Sequence, residues 1–382
     1  MITVQRVAVL GAGTMGARIA AHFANAGIPV HLLDVVLAGE KNRNAAALAG
    51  IDAALKQKPG GFFTSAATAL VTPGNFDDDL AQVRDCQWIV EAVTENLEIK
   101  RALLAKVEAA RAPGTILSTN TSGIPLHRIA EGFGEDLLGC FLGTHFFNPP
   151  RYLRLVEVIP GPATRPGVLQ FVAEFCDVRL GKGVVPCKDT PNFIANRIGS
   201  FFGATVHKLT VEDDYTIEEV DALTGPVIGM PRSASYRLMD IVGLDVWAHV
   251  TRNLHAAAAH DPWRERFVLP DFMLQMIERG ALGEKRGAGF YKRVGPEKEI
   301  HAIDRRTLEY HPAQKVRFSS LETARGVEQL DERLRMLVGA NDRAGSFLWK
   351  LFRDHLVYAA SMVPEISDRI VEIDRAMRWG YA

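Results

Sequence analysis

Paired cysteines, long apolar runs and a surplus of either charge are all missing from this chain. Its four cysteines, Cys86, Cys140, Cys176 and Cys187, are scattered, and no two sit at ligand spacing. That argues against a disulfide framework or a zinc site, and for buried thiols in a reducing compartment. His207, His255 and His260 show no spacing with cysteine or carboxylate that demands a metal, so none is expected. No apolar run is long enough to span a bilayer. The 44 basic and 45 acidic side chains leave a formal net charge of -1, which gives no general case for nucleic acid or a membrane surface as partner. The first strand-like run begins within a few residues of Met1. No signal peptide is therefore expected, and the expected location is cytoplasmic.

What is present is ordinary globular material, 47% hydrophobic and 23% charged over 382 residues, enough for two or three domains. Gln5 to Leu10 is a short apolar run that reads as a buried strand. Gly11-Ala12-Gly13-Thr14-Met15-Gly16 follows at once, and Ala17 to Ala26 has helical composition. Gly11 allows a tight turn, Gly13 lets a pyrophosphate approach the backbone, and Gly16 lets helix and strand pack closely. Free N–H groups and the dipole at the helix start favour the phosphates. Pro29 to Leu33 reads as a second strand, ending in Asp34. An acid there accepts hydrogen bonds from the adenosine ribose. Val35 and Val36 follow it with no arginine for a 2′-phosphate, so NAD is expected rather than NADP.

Strand-like and helix-like segments continue to alternate. Trp88 to Val93 and Thr115 to Thr119 read as strands, and Asn96 to Ala110 as an amphipathic helix. The pattern predicts an α/β fold with an N-terminal Rossmann-like doubly wound sheet. From Phe193 onward the chain reads as helices, which predicts an all-helical C-terminal region. That region carries a faint internal repeat. Thr216 to Ala222 resembles Asp368 to Ala376, and Ile198 to Phe202 resembles Ala344 to Leu348. The expected domains are 1–185 for the dinucleotide, 186–295 for a helical domain, and 296–382 for a linker and a partial second helical copy. The second copy stops at Trp379 to Ala382, whereas the first runs on, so a truncated piece of a longer polypeptide is expected.

The chemistry gathers in the middle of the chain. Thr119-Asn120-Thr121-Ser122 is followed by Gly143-Thr144-His145-Phe146-Phe147-Asn148-Pro149-Pro150, and then by Glu157 within Leu155-Val156-Glu157-Val158-Ile159. A carboxylate in such a run is costly to bury unless paired. The nearest suitable partner is His145, and a histidine held by a carboxylate serves as a general base. The bland readings are a satisfied core histidine, an edge-strand charge at Glu157, and a Ser122 that only caps the helix expected near Gly123 to Leu126.

These motifs, with Val90-Glu91-Ala92-Val93-Thr94-Glu95-Asn96 and Lys188-Asp189-Thr190-Pro191-Asn192-Phe193-Ile194-Ala195-Asn196, resemble the L-3-hydroxyacyl-CoA dehydrogenases of fatty acid β-oxidation over nearly the whole chain. The repeat-bearing form looks like the dehydrogenase part of the larger dehydrogenase and enoyl-CoA hydratase polypeptides, without a hydratase segment. The resemblance implies NAD-dependent oxidation of an (S)-3-hydroxyacyl-CoA. His145 would be the base and Glu157 its orienting partner. Ser122 and Asn196 would hydrogen-bond the reacting oxygen and, with Asn148, hold the substrate. The coenzyme would rest on Gly11, Gly13, Thr14, Met15, Gly16 and Asp34, with Glu95, Lys100 and Asn120 near its nicotinamide-side ribose.

Arg43, Lys56 and Lys58 are candidates for the CoA phosphates, though a solvated helix face suits each as well. The chain departs from the short family members at Ile228 to Asp240, which leaves acyl-chain preference and the dimer surface open. A homodimer and a monomer with an intramolecular repeat are both expected possibilities. Two rivals remain. One is another NAD-dependent hydroxy-acid dehydrogenase, a class that commonly uses lysine as its base. The other is a non-catalytic NAD-binding protein of the lens-crystallin type, or an inactive fragment of a larger enzyme.

Overall fold

The computed structural model describes residues 3–381. The chain opens with β1 (Val7–Leu10), α1 (Thr14–Asn25), β2 (Val30–Asp34), α2 (Ala45–Lys56), β3 (Val71–Asn75), β4 (Trp88–Glu91) and α3 (Leu97–Ala110). It continues with β5 (Ile116–Thr119), α4 (Leu126–Ile129), α5 (Glu135–Cys140), β6 (Phe141–Phe146), β7 (Leu155–Pro160), α6 (Pro166–Val178) and β8 (Gly183–Pro186). A helical stretch follows, comprising α7 (Ala195–Glu212), α8 (Ile217–Leu223), α9 (Tyr236–Val242), α10 (Leu244–Ala257) and α11 (Asp271–Glu278). Then come β9 (Tyr291–Val294), β10 (Glu299–Ile303), β11 (Tyr310–Pro312), α12 (Ser319–Ala324), α13 (Leu330–Val338), α14 (Arg343–Ser361) and α15 (Ile370–Gly380).

Two compact units divide the chain, one of residues 1–196 with 362–382, the other Arg197–Ser361. The sequence reading places its boundaries at 185/186 and 295/296 instead. The first unit is an eight-stranded sheet in the order β3-β2-β1-β4-β5-β6-β7-β8. Every neighbouring pair is parallel except β6 and β7. Order reverses at β1, where β2 and β4 flank it, and a crevice opens there beyond the carboxyl ends of the strands. The strands β1, β4 and β5 are buried along their whole length, as strands covered on both faces must be. Phe23, Trp88 and Phe175 meet edge to face or tilted in that core, with centroids 5.4 to 6.5 Å apart. The Trp88 indole N–H is satisfied by Ser118 Oγ at 2.9 Å.

The second unit has its own core, including Leu209, Tyr236, Met273, Phe290 and Leu348. It is not all-helical as expected. β9, β10 and β11 form a three-stranded antiparallel sheet. These strands are short, mostly half-exposed and charged, so neither alternation nor an apolar run announces them. Asp221 closes the start of α9, accepting from Ser235, Tyr236 and Arg237 N–H at 2.7 to 3.2 Å. The helices α7 and α14 hold the two halves of one sequence resemblance, and α8 and α15 those of the other. Among the described residues no helix is long and apolar enough to cross a membrane.

Candidate active site

A cleft of about 1070 Å³ opens in the first unit at the carboxyl ends of the strands. Gly11, Gly13, Thr14, Met15, Asp34, Glu95, Asn120, Ser122, His145, Asn148 and Asn196 line it. Gly16, Lys100 and Glu157 stand behind the lining.

The glycine turn explains itself sterically. Gly11 sits at φ +99°, and a Cβ there would lie 2.6 Å from Ala92 O. A Cβ on Gly16 would lie 1.8 Å from Gly11 O, so α1 packs on the turn with no room for a side chain. Beside Gly13 the space is open, and Gly13 is the residue just before α1. Asp34, at the end of β2, accepts Ala12 N–H at 2.5 Å and its neighbour Val35 N–H at 2.6 Å. Each carboxylate oxygen keeps a lone pair for a ribose hydroxyl. The carboxylate acceptors of Asp34 and the uncapped start of α1 fit a dinucleotide.

On the other side of the cleft, β6 and β7 pair antiparallel with His145 directly opposite Glu157. His145 Nδ1 and Glu157 Oε2 are 2.6 Å apart, and both side chains are buried. The second carboxylate oxygen, Oε1, accepts Ile194 and Ala195 N–H at 3.1 and 2.8 Å. Glu157 lies on an interior strand and is not an edge charge facing water. With Nδ1 committed to the carboxylate, Nε2 is the nitrogen His145 has left for the cleft. Phe147 and Phe193 flank the ring at 4.5 and 5.7 Å between centroids.

Lys100 is held from beneath the cleft. It is 1% exposed and stands behind the cleft lining, its Nζ 2.7 Å from Glu91 Oε1 and 3.4 Å from Glu95 Oε2. Glu91 also accepts Val93 N–H and the Thr119 hydroxyl, at 2.7 and 2.6 Å. This buried cluster fixes the loop that leads to Glu95. Glu91 is not singled out from the sequence, although it gives the same signal as Glu157, a carboxylate within an apolar run. Glu95 Oε1 accepts from Thr121 Oγ1 and from the N–H groups of Ser122 and Gly123, at 2.6 to 3.1 Å. Burial opposes its charge, but Lys100 and those donors hold the carboxyl below its usual range.

Ser122 does not cap α4. That role falls to Asp189, which accepts Leu126 and His127 N–H at 2.8 and 3.1 Å. The Ser122 side chain is exposed in the cleft, 3.4 Å from Glu95 Oε1. Asn120 Oδ1 accepts Phe146 N–H at 2.9 Å, which leaves its amide N–H groups over. Arg43 is engaged with Asp78 at 2.6 Å and Lys56 with Asp52 at 2.8 Å, and neither lines the cleft, nor does Lys58. Phe76 and Asp77 beyond β3, and Ile99, Leu103 and Lys106 on α3, line it without having been anticipated. The α3 residues share one helix face by their spacing, which is the signal that could have found them.

The family model for the 3-hydroxyacyl-CoA dehydrogenase NAD binding domain matches residues 6–190, and that for the 3-hydroxyacyl-CoA dehydrogenase C-terminal domain matches 193–293. The chain belongs to the 3-hydroxyacyl-CoA dehydrogenase family. The family is one of NAD-dependent oxidoreductases, and NAD is the coenzyme of the N-terminal domain. A probable 3-hydroxyacyl-CoA dehydrogenase of Bacillus subtilis is 43% identical over 99% of this chain and 49% of its own length. The chain thus spans about half of that relative. A probable 3-hydroxyacyl-CoA dehydrogenase of Deinococcus radiodurans is 44% identical over 77% of this chain and 84% of its own. Among solved structures, (S)-3-hydroxybutyryl-CoA dehydrogenase from Ralstonia eutropha superposes with a TM-score of 0.63 at 28% identity, covering 75% of this chain and 98% of that one.

Proposed function

We propose that the protein interconverts (S)-3-hydroxyacyl-CoA and 3-oxoacyl-CoA in fatty acid β-oxidation, with His145 as the proton acceptor. The observation that carries this reading is the His145–Glu157 pair at 2.6 Å in a cleft shared with the glycine turn and Asp34. Bound NAD would supply the acceptor for the hydride leaving C3. The protein's own task is the proton and the geometry. His145 Nε2 takes the proton of the 3-hydroxyl, and Glu157, holding Nδ1–H, stabilises the imidazolium that results. Ser122 Oγ and the Asn196 amide donate to the oxygen on which negative charge grows, a contribution of roughly 3–4 kcal/mol per donor in other enzymes. Asp34 holds the adenosine ribose. Glu95 holds the Ser122 loop in place, and Lys100 supports Glu95 from beneath.

The test is NADH oxidation with acetoacetyl-CoA, followed at 340 nm beside a His145→Gln variant and with NADPH as control. Turnover with NADH that drops by at least about a thousandfold in the variant is expected, with little turnover on NADPH. NADH binding without turnover in the wild type would sink the proposal.

A further inference from the structure

The stretch after Ser361 returns to the sheet of the first unit. α15 packs along β7 and β8, the strand that ends the sheet. The Trp379 ring packs against Gly183 of β8, where a Cβ would come within 2.3 Å of it. Arg154 and Arg375 sit 5.0 and 6.0 Å from the same ring. Gly380 abuts Leu155 and Phe147. The chain is therefore held closely at the point where it delivers Tyr381. The Tyr381 ring meets Phe147, the neighbour of the His145 ring, at 6.4 Å between centroids. Its hydroxyl donates to Asn196 Oδ1 at 3.3 Å.

An asparagine amide presents an acceptor on one side and two donors on the other, and its neighbours decide which side faces a ligand. Asn196 lines the cleft with His145 and Ser122. A growing negative charge on the substrate oxygen calls for the NH2 side. We propose that Tyr381 is a positioning residue for Asn196. Its O–H engages Oδ1 and so turns the amide N–H groups toward the reacting oxygen. This rests on the role given to Asn196 above.

A double-mutant cycle on acetoacetyl-CoA reduction tests it, using wild type, Tyr381→Phe, Asn196→Ala and the double variant, with NADH affinity from fluorescence titration. Tyr381→Phe removes one partly exposed hydroxyl and leaves the ring. The expected result is a fivefold to tenfold lower kcat with the NADH Kd unchanged. In the Asn196→Ala background the same change should move kcat by less than twofold, because the amide it positions is gone. A purely structural role would give the same loss in both backgrounds and would overturn the inference, as would a Tyr381→Phe variant with wild-type kcat. Absence of turnover in the wild type would overturn the dehydrogenase reading, and this inference with it.

Discussion

The bonds to Glu157 divide its two oxygens between two tasks. Oε1 accepts the N–H groups of Ile194 and Ala195, and Oε2 faces His145 Nδ1. A Glu157→Gln substitution preserves size but not this division. Its carbonyl must take the Oε1 place, since an NH2 there would confront two N–H donors in a buried site. The new NH2 group then points at His145 Nδ1 and requires that nitrogen to accept. The ring proton moves to Nε2, where it blocks proton abstraction. The expected outcome is a fall in kcat of about 10³–10⁴, comparable to changing the tautomer of a catalytic histidine elsewhere, with NADH affinity nearly intact. Steady-state kinetics beside a titration of NADH checks it. A variant within tenfold of wild type would show that the carboxylate does not set the tautomer.

At the scale of elements, the glycine turn and α1 act as one piece. Gly16→Ala would set a methyl 1.8 Å from Gly11 O, a backbone atom of the turn just after β1 whose residue is tied to Leu33 O through its N–H, while Gly16 itself is held in α1. The helix must shift from the strand end, so the N–H groups at its start lose their aim. NADH affinity should fall at least tenfold, with about 2 kcal/mol or more of stability lost to overpacking. Calorimetric titration and urea unfolding read the two effects separately. This piece was legible in the sequence because strand, turn and helix are contiguous. So was the His145–Glu157 pair, because a carboxylate in an apolar run must find a partner. The antiparallel β6–β7 step left a trace that the alternation argument passed over. Phe147 to Arg154 is too short for a crossover helix. Asp189 as the cap of α4 left none, since its partners lie more than sixty residues away. Tyr381 on Asn196 is likewise a contact that only folding creates.

Across the molecule, ionisable groups are buried in both units, and they oppose one another as pH changes. His207 is enclosed in the second unit between Tyr236 and Trp247. Its Nε2 has no hydrogen-bond partner, and burial pushes the imidazole down to about 3. The unfolded chain takes up this proton near pH 6.5, the folded one only near 3. Stability from this site is therefore whole above 6.5 and is lost as pH falls toward 3. At pH 5 the loss is about 2 kcal/mol. Asp221 and Asp240 in the same unit act the other way. Burial pushes their carboxyls up to about 7 and about 6, so the folded state gains protons that the unfolded state binds only near 4, and acidification across that window favours folding. The wild-type pH profile mixes the two, and with two compact units it need not be two-state. The difference between wild type and His207→Leu separates them, because the aspartates contribute equally to both. Urea unfolding followed by tryptophan fluorescence should find the variant gaining about 2 kcal/mol on wild type between pH 7 and pH 5. A difference that stays flat over that range would mean that the folded protein accommodates the imidazolium.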